Sequence, residues 1–567
     1  MRTSQAAPAD TPPQDVATAE AASDRILALL DQGESDRAAA AFHEASARWP
    51  ETPRLLLTHG ELLARTEGPG PAIGHYASLL GGPVGRWAAA RLGPLLRSHP
   101  PEAGLALQIA GAARSLQGED AERLVEALLS GVHGEVRRQI VASVAPWLDT
   151  PRMRWRLIVQ NAEGGRTQDA LDALERAAAQ EGLRTPQADI LRAELLVIHG
   201  REAEAAALLR ETAATNPDHV ELHRQLIAVL QQAGRHEEAE AAMLEAAARW
   251  PRDWFLIFRL NRLPVSPEGL KTATGHFAKG SEVPGREDDR HRLHFALACL
   301  HAGEIEKGLE LLGRPFPQSL AHMADPVCAA AFSRPAAFWR ETTRLADDRR
   351  KDVQITRATD AKATVIVPTG ISFGYLPLSF VDSLLAAHEV NAIYLRDFNK
   401  RAYLRGVVGL GASEAETIDA LERLLDELGP TRRVVMGSSS GGFSAMRLGG
   451  LIGAHAAISF SGRTTLLDDE EKASKVSIWD LSFMVQKTLR QEPDLPVDLV
   501  PLIAATPHVR YLQVFGADEA DDAMQAGRIE AFANVELRPI AGFNSHVVVD
   551  HLIADGRFDR MLAEAIG

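Results

Sequence analysis

The segment that most constrains the fold is an apolar run that breaks into a glycine- and serine-rich turn and then resumes, 434-VVMGSSSGGFSAMRLGG-450. Residues 432–436 are predicted to form a short buried strand, and the apolar residues from Phe443 onward are predicted to begin a helix. The turn between them, Gly437 to Gly441, has the spacing G-x-S-x-G with Ser439 at its centre. A sharp strand-to-helix turn strains the backbone of its central residue, so the residues two before and two after must be small. The alternative interpretation is an ordinary glycine- and serine-rich loop.

Composition and charge limit the class of protein. The chain has 567 residues, a length that predicts several domains. Of these residues 46% are apolar and 24% charged, which is ordinary for globular proteins. Its net charge of −15 argues against a nucleic-acid partner. Cys299 and Cys328 are the only cysteines, which favours a reducing compartment. Residues 1–22 are predicted to form a disordered tail, and no apolar stretch approaches membrane-spanning length, so we expect a cytoplasmic protein.

A repeat with a period of 34 residues is visible in the first half of the chain. One unit starts at Gly200 and its copy at Gly234; in each, a small residue lies five positions after the glycine and a proline closes the unit. The matched pairs are Ala205 and Ala239, Leu209 and Met243, Ala213 and Ala247, and Pro217 and Pro251. This spacing resembles the tetratricopeptide repeat, a pair of helices that stacks with its neighbours. The resemblance predicts an all-α solenoid over 23–313. It also implies a protein partner or carrier, with a structural or dimerising role as the alternative.

The second half changes from helical spacing to short β-rich runs that alternate with helical segments. This alternation predicts an α/β domain over 352–567 with a mostly parallel sheet and helices on both faces. Residues 314–351, which contain several prolines, are expected to be the linker. The predicted strands are 353–357, 363–368, 390–395, 432–436, 454–460, 509–515 and 534–540.

Together with the G-x-S-x-G turn, this order of elements resembles the α/β-hydrolase superfamily over about residues 353–567. The resemblance implies a serine nucleophile, an acid and a histidine, in that chain order. Ser439 would be the nucleophile, and His546, in the loop after the last strand, would be the base, with His551 as a rival. The Gly-x-Asp spacing in 516-GADEADD-522 favours Asp518 as the acid, and Asp522 is the alternative.

The same resemblance implies two backbone amides that would bind the developing oxyanion. One is the amide of Ser440, directly after the nucleophile. The other lies in 368-PTGISFG-374, where we expect the amide of Ile371, with Ser372 as the alternate. Thr369 and Gly370 stand where many members of the superfamily have His-Gly. The alternative is a glycine-containing strand exit with no catalytic role.

Two further segments carry open interpretations. Residues 463–508 lie where the superfamily often inserts a cap, and the apolar residues within 478–489 would line an acyl pocket or form the core face of a crossover helix. The segment 396-RDFNKRAYLRG-406 would contact an anionic or sugar-bearing substrate, or it is a solvated loop.

Two classes of function follow from this organisation. The first is a serine esterase, thioesterase or acyltransferase that acts on an acyl ester or thioester through an acyl-enzyme on Ser439. The second is a non-catalytic interaction scaffold with a degenerate hydrolase-like domain. No metal or cofactor is predicted, because histidines, cysteines and acids do not cluster at ligand spacing and no phosphate-binding glycine loop occurs.

Overall fold

A computed structural model describes residues 18–180, 185–281, 288–369, 374–398, 401–429, 431–467, 492 and 494–567. The chain divides into two units, Met1–Ala170 and Leu171–Gly567. The second unit therefore contains the later helical repeats as well as the sheet. The division lies far from the predicted linker at 314–351.

The described residues between Ala19 and Glu341 form helices and the turns next to them. They are α1 (Ala19–Asp31), α2 (Ser35–Arg48), α3 (Pro53–Thr66), α4 (Pro69–Leu79), α5 (Gly85–Ser98), α6 (Ala103–Ala112), a short 3₁₀ helix (Ala113–Ser115), α7 (Gly118–Gly131), α8 (Gly134–Val144), α9 (Pro151–Glu163), α10 (Thr167–Gln180), α11 (Pro186–Ile198), α12 (Glu202–Thr215), α13 (Val220–Gln232), α14 (His236–Arg249), α15 (Trp254–Leu260), α16 (Pro267–Ser281), α17 (Asp289–His301), α18 (Ile305–Leu312), α19 (Gln318–Phe332) and α20 (Phe338–Glu341).

Helix α1 begins inside the segment predicted as a tail. The hydroxyl of Thr18 accepts a hydrogen bond from the amide of Ala21 at 3.2 Å, and this N-cap fixes the start of the helix at Ala19. Residues 19–22 are therefore helical, which corrects the predicted boundary of the tail at 22. Residues 1–17 lie outside the described part of the chain.

The predicted repeat corresponds to the helix pairs α11–α12 and α13–α14. Gly200 and Gly234 lie in the turns within these pairs with φ of 74° and 70°, a left-handed conformation that favours glycine. Ala205 and Ala239 are completely buried five residues later, so the two helices of each pair approach closely at these positions. These helix pairs are thus helical repeats with the period that the spacing predicts.

The described residues of the second unit also form a seven-stranded sheet in the order β1-β3-β2-β4-β5-β6-β7. Only β1 is antiparallel to its neighbour; the other pairs are parallel. Each strand begins within two residues of its predicted start. The elements are β1 (Val353–Thr356), β2 (Ala363–Pro368), α21 (Leu378–Ala386), β3 (Asn391–Leu395), α22 (Glu414–Leu428), β4 (Arg432–Ser438), α23 (Ser440–Leu451), β5 (Ala456–Phe460), α24 (Val500–Ala505), β6 (Arg510–Gly516), α25 (Ala520–Gly527), β7 (Val535–Ile540), α26 (Val548–Ala554) and α27 (Arg557–Ile566).

Alternate residues of the central strands face two different layers, as expected for a sheet covered on both sides. Val434 and Met436 of β4 belong to one core, whereas Val435 belongs to the core that packs with α22 and α23. The first core also includes buried residues of α17, α18, α19 and α20.

This shared core corrects the prediction that residues 314–351 are a linker. Helix α19 occupies 318–332 and packs against α26, and α20 contacts α21. Asp382 on α21, fully buried, accepts the backbone amide of Arg344 at 2.6 Å and its guanidinium at 3.1 Å. The same carboxylate accepts the hydroxyls of Thr356 and Tyr394, both at 2.8 Å. The segment is thus part of the core of the second unit.

Candidate active site

The turn between β4 and α23 has the geometry that the G-x-S-x-G spacing predicts. Ser439 has φ of 56° and ψ of −123°, a strained conformation for a residue with a side chain. A Cβ at Gly437 would lie 1.9 Å from the carbonyl oxygen of Gly441, so no other residue fits there without moving the backbone. The amide of Ser439 donates to the carbonyl of Phe460 at 2.8 Å, which ties the turn to the end of β5.

The side chains of Ser439, His546 and Asp522 form a continuous hydrogen-bonded chain. Nε2 of His546 lies 2.9 Å from Oγ of Ser439. On the other side of the ring, Nδ1 lies 3.0 Å and 3.1 Å from the two carboxylate oxygens of Asp522. Although these residues are far apart in sequence, all three lie at the carboxyl ends of β4, β6 and β7, where sites of parallel sheets are found.

The carboxylate that bonds to His546 is that of Asp522 and not that of Asp518, which the sequence favoured. Asp518 lies in the turn between β6 and α25; its side chain is exposed, and its amide donates to the carbonyl of Phe543 at 3.3 Å. Asp522 lies in the first turn of α25, which directs its carboxylate back towards the sheet, and the residue is 7% exposed. The spacing from Gly516 selects an acid before α25 begins, whereas Asp522 lies in the first turn of that helix.

The charges around His546 favour its protonated form. Partial removal from water lowers the pKa of His546, but the hydrogen bond and the negative charge of Asp522 outweigh it, and Glu519 adds to the rise. The net effect is a pKa above the ordinary value for histidine, although Arg463 opposes it. An imidazole held in this way has one nitrogen facing a hydroxyl and can accept the proton of that hydroxyl.

The loop that carries His546 is anchored by a contact that the sequence did not predict. The hydroxyl of Ser545 donates to the carbonyl of His322 on α19 at 2.9 Å and accepts the amide of Val547 at 3.2 Å. Helix α19 therefore positions the residue next to His546. The sequence carried no signal for it, because a serine before the histidine is not distinctive.

His551, the rival histidine, has a different environment. Its ring stacks on Phe543 with centroids 4.3 Å apart, and its Nε2 accepts a hydrogen bond from the guanidinium of Arg557 at 2.8 Å. Through these two contacts His551 packs α26 against the loop after β7 and the start of α27.

Of the two predicted oxyanion donors, one lies among the described residues and the other does not. Ser440 is the first residue of α23, and amides in the first turn of a helix have no partner within the helix. Ile371, with the alternate Ser372, lies outside the described residues. The amide of the preceding Thr369 is occupied, since it donates to the carbonyl of Leu395 at 3.0 Å and faces the hydroxyl of Tyr403 at 3.1 Å.

The basic segment after β3 is anchored to the protein rather than freely solvated. The half-buried carboxylate of Asp397 accepts the amides of Arg401 at 2.6 Å and Tyr403 at 3.3 Å. The carbonyl of Ala402 accepts the hydroxyl of Ser444 on α23 at 3.2 Å. The loop is thus attached to the helix that follows Ser439. The apolar residues of 478–489, interpreted as a pocket or a core face, lie outside the described residues.

Within the part of the chain that the structure describes, no group of three or more histidines, cysteines or acids is arranged to hold a metal ion. In the same part, no helix is both long and apolar enough to cross a membrane.

Comparisons with known proteins give one family match and several distant structural likenesses. Residues 196–253 match the tetratricopeptide repeat family. Among solved structures, a carboxylesterase of Nitrososphaera gargenis is 13% identical, with 37% of this chain and 92% of that chain covered and a TM-score of 0.26. Esterase B of Lactobacillus rhamnosus is also 13% identical, with coverage of 39% and 82% and a TM-score of 0.28.

A tetratricopeptide-repeat protein of Thermus thermophilus is 22% identical, with coverage of 38% and 99% and a TM-score of 0.16. No curated relative matches the chain. At these TM-scores the structural likenesses carry no functional argument, so the interpretation of the site depends on its own geometry.

Proposed function

We propose that the sheet-containing part of the chain is a serine hydrolase or acyltransferase of the α/β-hydrolase type, with Ser439 as nucleophile. The observation that carries this proposal is the hydrogen-bonded chain from Asp522 through His546 to Ser439, at 2.9 to 3.1 Å. The strained turn at Ser439 and the strand order, with one antiparallel strand at the edge, support the same assignment.

In the proposed mechanism, Oγ of Ser439 attacks the carbonyl carbon of an acyl ester or thioester. Nε2 of His546 takes the hydroxyl proton as the O–C bond forms, and the carbonyl electrons move to the oxygen. Asp522 holds the ring with Nδ1 protonated and stabilises the imidazolium. When the tetrahedral intermediate collapses, the same proton passes to the alcohol or thiol that leaves, and the acyl group stays on Ser439.

The amide of Ser440 is proposed as one donor to the oxyanion. It follows the nucleophile and lies at the positive end of α23, a helix of 12 residues whose dipole favours negative charge at this end. The backbone amide of Ile371 is proposed as the second donor to the oxyanion.

The acyl-enzyme is released when a second molecule attacks it, with His546 as the base again. If that molecule is water, the products are a carboxylic acid and the free enzyme; if it is an alcohol, the acyl group is transferred. Both outcomes use the same residues, so the proposal covers both.

Helical repeats of the tetratricopeptide type commonly present a concave binding surface. We therefore propose that the repeats bind a protein partner, such as the carrier of the acyl substrate. We place the protein in the cytoplasm, since Cys299 and Cys328 are both free thiols.

Labelling with a fluorophosphonate probe tests the nucleophile. Wild-type protein is expected to be labelled on Ser439, and Ser439→Ala is expected to lose both labelling and ester cleavage while its circular dichroism spectrum is unchanged. The matched control is Ser440→Ala, because the proposed contribution of that residue is its backbone amide, which the substitution keeps. Undiminished labelling of Ser439→Ala would refute the assignment of Ser439 as the nucleophile.

A non-catalytic interaction scaffold is the second candidate function. The family match over residues 196–253 favours it, because repeats of this type act by binding. The labelling experiment separates the two candidates: a folded protein that no fluorophosphonate modifies, and that cleaves no ester or thioester in a panel of acyl chain lengths, is a scaffold.

A further inference from the structure

Two consecutive residues of the loop after β3, Ala402 and Tyr403, have a strained backbone. Their φ angles are 50° and 61°, in the left-handed region that residues with side chains seldom adopt. Both residues are buried, with exposed fractions of 2% and 3%. We call Ala402 and Tyr403 the strained pair. Strain of this kind persists only where the surroundings hold it, and it is concentrated at functional sites.

The surroundings of the strained pair hold it in this conformation. The carboxylate of Asp397 accepts the amide of Arg401 at 2.6 Å and that of Tyr403 at 3.3 Å. The ring of Tyr403 lies in the core that packs with α22 and α23, together with Ile366 of β2 and Val435 of β4. Relaxation of the pair would therefore break these hydrogen bonds and disturb the core under the sheet.

The side chain of Tyr403 reaches the end of β2. Its hydroxyl donates to the carbonyl of Leu395 at 2.7 Å and accepts the amide of Thr369 at 3.1 Å. Thr369 directly follows β2. Ile371, the proposed second donor to the oxyanion, is two residues further along the chain and lies outside the described residues. One hydroxyl thus holds the point at which the chain leaves β2.

The backbone of Ala402 is connected to the first turn of α23. Its carbonyl accepts the hydroxyl of Ser444 at 3.2 Å. The same hydroxyl lies 3.0 Å from the carbonyl of Ser440, the residue whose amide is the proposed first donor to the oxyanion. Ser444 is 1% exposed, so its role is in this connection rather than in contact with substrate.

The ends of β2 and β4 gain from such a connection because the ladder between these strands stops short of them. The two strands are parallel neighbours, and their last paired residues are Ile366 and Val435. β2 continues to Pro368 and β4 continues to Ser438, beyond the paired region. The strained pair contacts the chain at both ends, through Tyr403 at β2 and through Ala402 at the helix that follows β4.

We propose that Tyr403 is a positioning residue for the reaction at Ser439, and that the strained pair sets the separation of the two amides that bind the developing oxyanion. This assignment rests on the proposed hydrolase or acyltransferase function. Donors stabilise the oxyanion when they lie about 2.7–3.1 Å from the position that its oxygen takes in the transition state. A small displacement of either segment therefore weakens binding of the transition state more than binding of the substrate.

Tyr403→Phe tests the proposal, because it removes the hydroxyl and keeps the ring in the core. The amide of Thr369 keeps its bond to the carbonyl of Leu395 at 3.0 Å, and the hydroxyl of Thr369 donates to the same carbonyl at 3.0 Å. The variant is therefore expected to fold, with a melting temperature within about 5 °C of the wild type. Its kcat for a soluble ester is expected to fall about tenfold while KM stays within about twofold, because the lost stabilisation concerns the transition state.

A trifluoromethyl ketone gives a second readout that a merely structural role would not change. Oγ of Ser439 adds to its carbonyl carbon, the proton passes to His546, and the carbonyl electrons form an oxyanion in a stable tetrahedral adduct. The inhibition constant is expected to rise about tenfold in Tyr403→Phe, in step with the fall in kcat.

The matched control is Tyr511→Phe. Tyr511 is completely buried near the amino end of β6, away from the strand ends that carry Ser439, and its hydroxyl is bonded to that of Thr506 at 2.7 Å. The control thus loses one buried hydroxyl of the same kind and is expected to keep the wild-type kcat and inhibition constant. Ser444→Ala breaks the connection at α23 and is expected to lower kcat and to raise the inhibition constant, as Tyr403→Phe does.

A folded Tyr403→Phe with wild-type kcat and inhibition constant would overturn the inference, and so would equal losses in Tyr511→Phe; the hydrolase proposal would stand in both cases. If Tyr403→Phe does not fold, Ser444→Ala decides by the same two readouts. A wild-type protein that neither binds the ketone nor cleaves any ester or thioester would instead refute the proposed function, and the assignment of Tyr403 with it.

Discussion

Asp522→Asn tests the candidate site most sharply, because it changes one charge and hardly any volume. In the wild type both carboxylate oxygens lie within 3.1 Å of Nδ1 of His546, so that nitrogen carries the proton and Nε2 is free to accept one from Ser439. Asparagine can present its NH₂ group to Nδ1, which moves the ring proton to Nε2 and blocks proton transfer from the hydroxyl.

The expected loss is large. A wrong imidazole tautomer costs about 10⁴-fold in kcat, or about 5.5 kcal/mol of transition-state stabilisation at about 1.4 kcal/mol per factor of ten. The direction of the pKa shift adds a second readout. Since Asp522 raises the pKa of His546 and the base must be neutral, wild-type kcat/KM falls as the pH is lowered through this raised pKa. In Asp522→Asn the midpoint of the residual activity is expected at lower pH.

Steady-state hydrolysis of a soluble ester between pH 5 and 9 measures both effects, with circular dichroism as the check on folding. Asp518→Asn is the matched control; its exposed side chain is not bonded to His546, and we expect activity close to the wild type. Loss of activity in Asp518→Asn together with an active Asp522→Asn would refute the assignment of the acid.

Three further outcomes are expected. Gly437→Ala should fold poorly and lose activity because its Cβ would lie 1.9 Å from a carbonyl oxygen, whereas Gly275→Ala, at an open helical position, should match or exceed the wild-type melting temperature. Asp382→Ala should lower the free energy of unfolding in urea by about 3–5 kcal/mol, because it leaves the guanidinium of Arg344 and two buried hydroxyls without their acceptor. A fragment that starts at Arg344 should be insoluble, because it lacks helices of the shared core. A fragment that starts at Leu171 should be folded, as measured by circular dichroism, and should cleave esters. A soluble, active fragment that starts at Arg344 would contradict this prediction.

Local patterns in the sequence predicted the elements of the fold well. The strands alternate with helices and follow a buried apolar pattern, so each strand could be located within two residues. The repeat was visible because a turn glycine and a buried small residue recur at a fixed distance, as at Gly200 and Ala205. The turn at Ser439 was also predictable from a local pattern, since it requires small residues two positions before and two positions after the serine.

Long-range packing was not predictable from these patterns. Prolines at 315, 317, 326 and 335 suggested a linker, but Pro326 lies inside α19, whose buried side chains belong to the core shared with the sheet. The choice between Asp518 and Asp522 depended on where α25 begins, and the boundary of a helix is less strongly encoded than its existence.

The core that α17–α20 share with β2–β6 makes these helices and the sheet one cooperative folding unit. Amide hydrogens in the middle of α17 and β4 should therefore exchange with solvent through the same global opening. A protein that binds only the native form of α17 or α18 adds its binding free energy to the stability of the whole unit. It would thus hold the turn at Ser439 more firmly in its strained conformation without touching it.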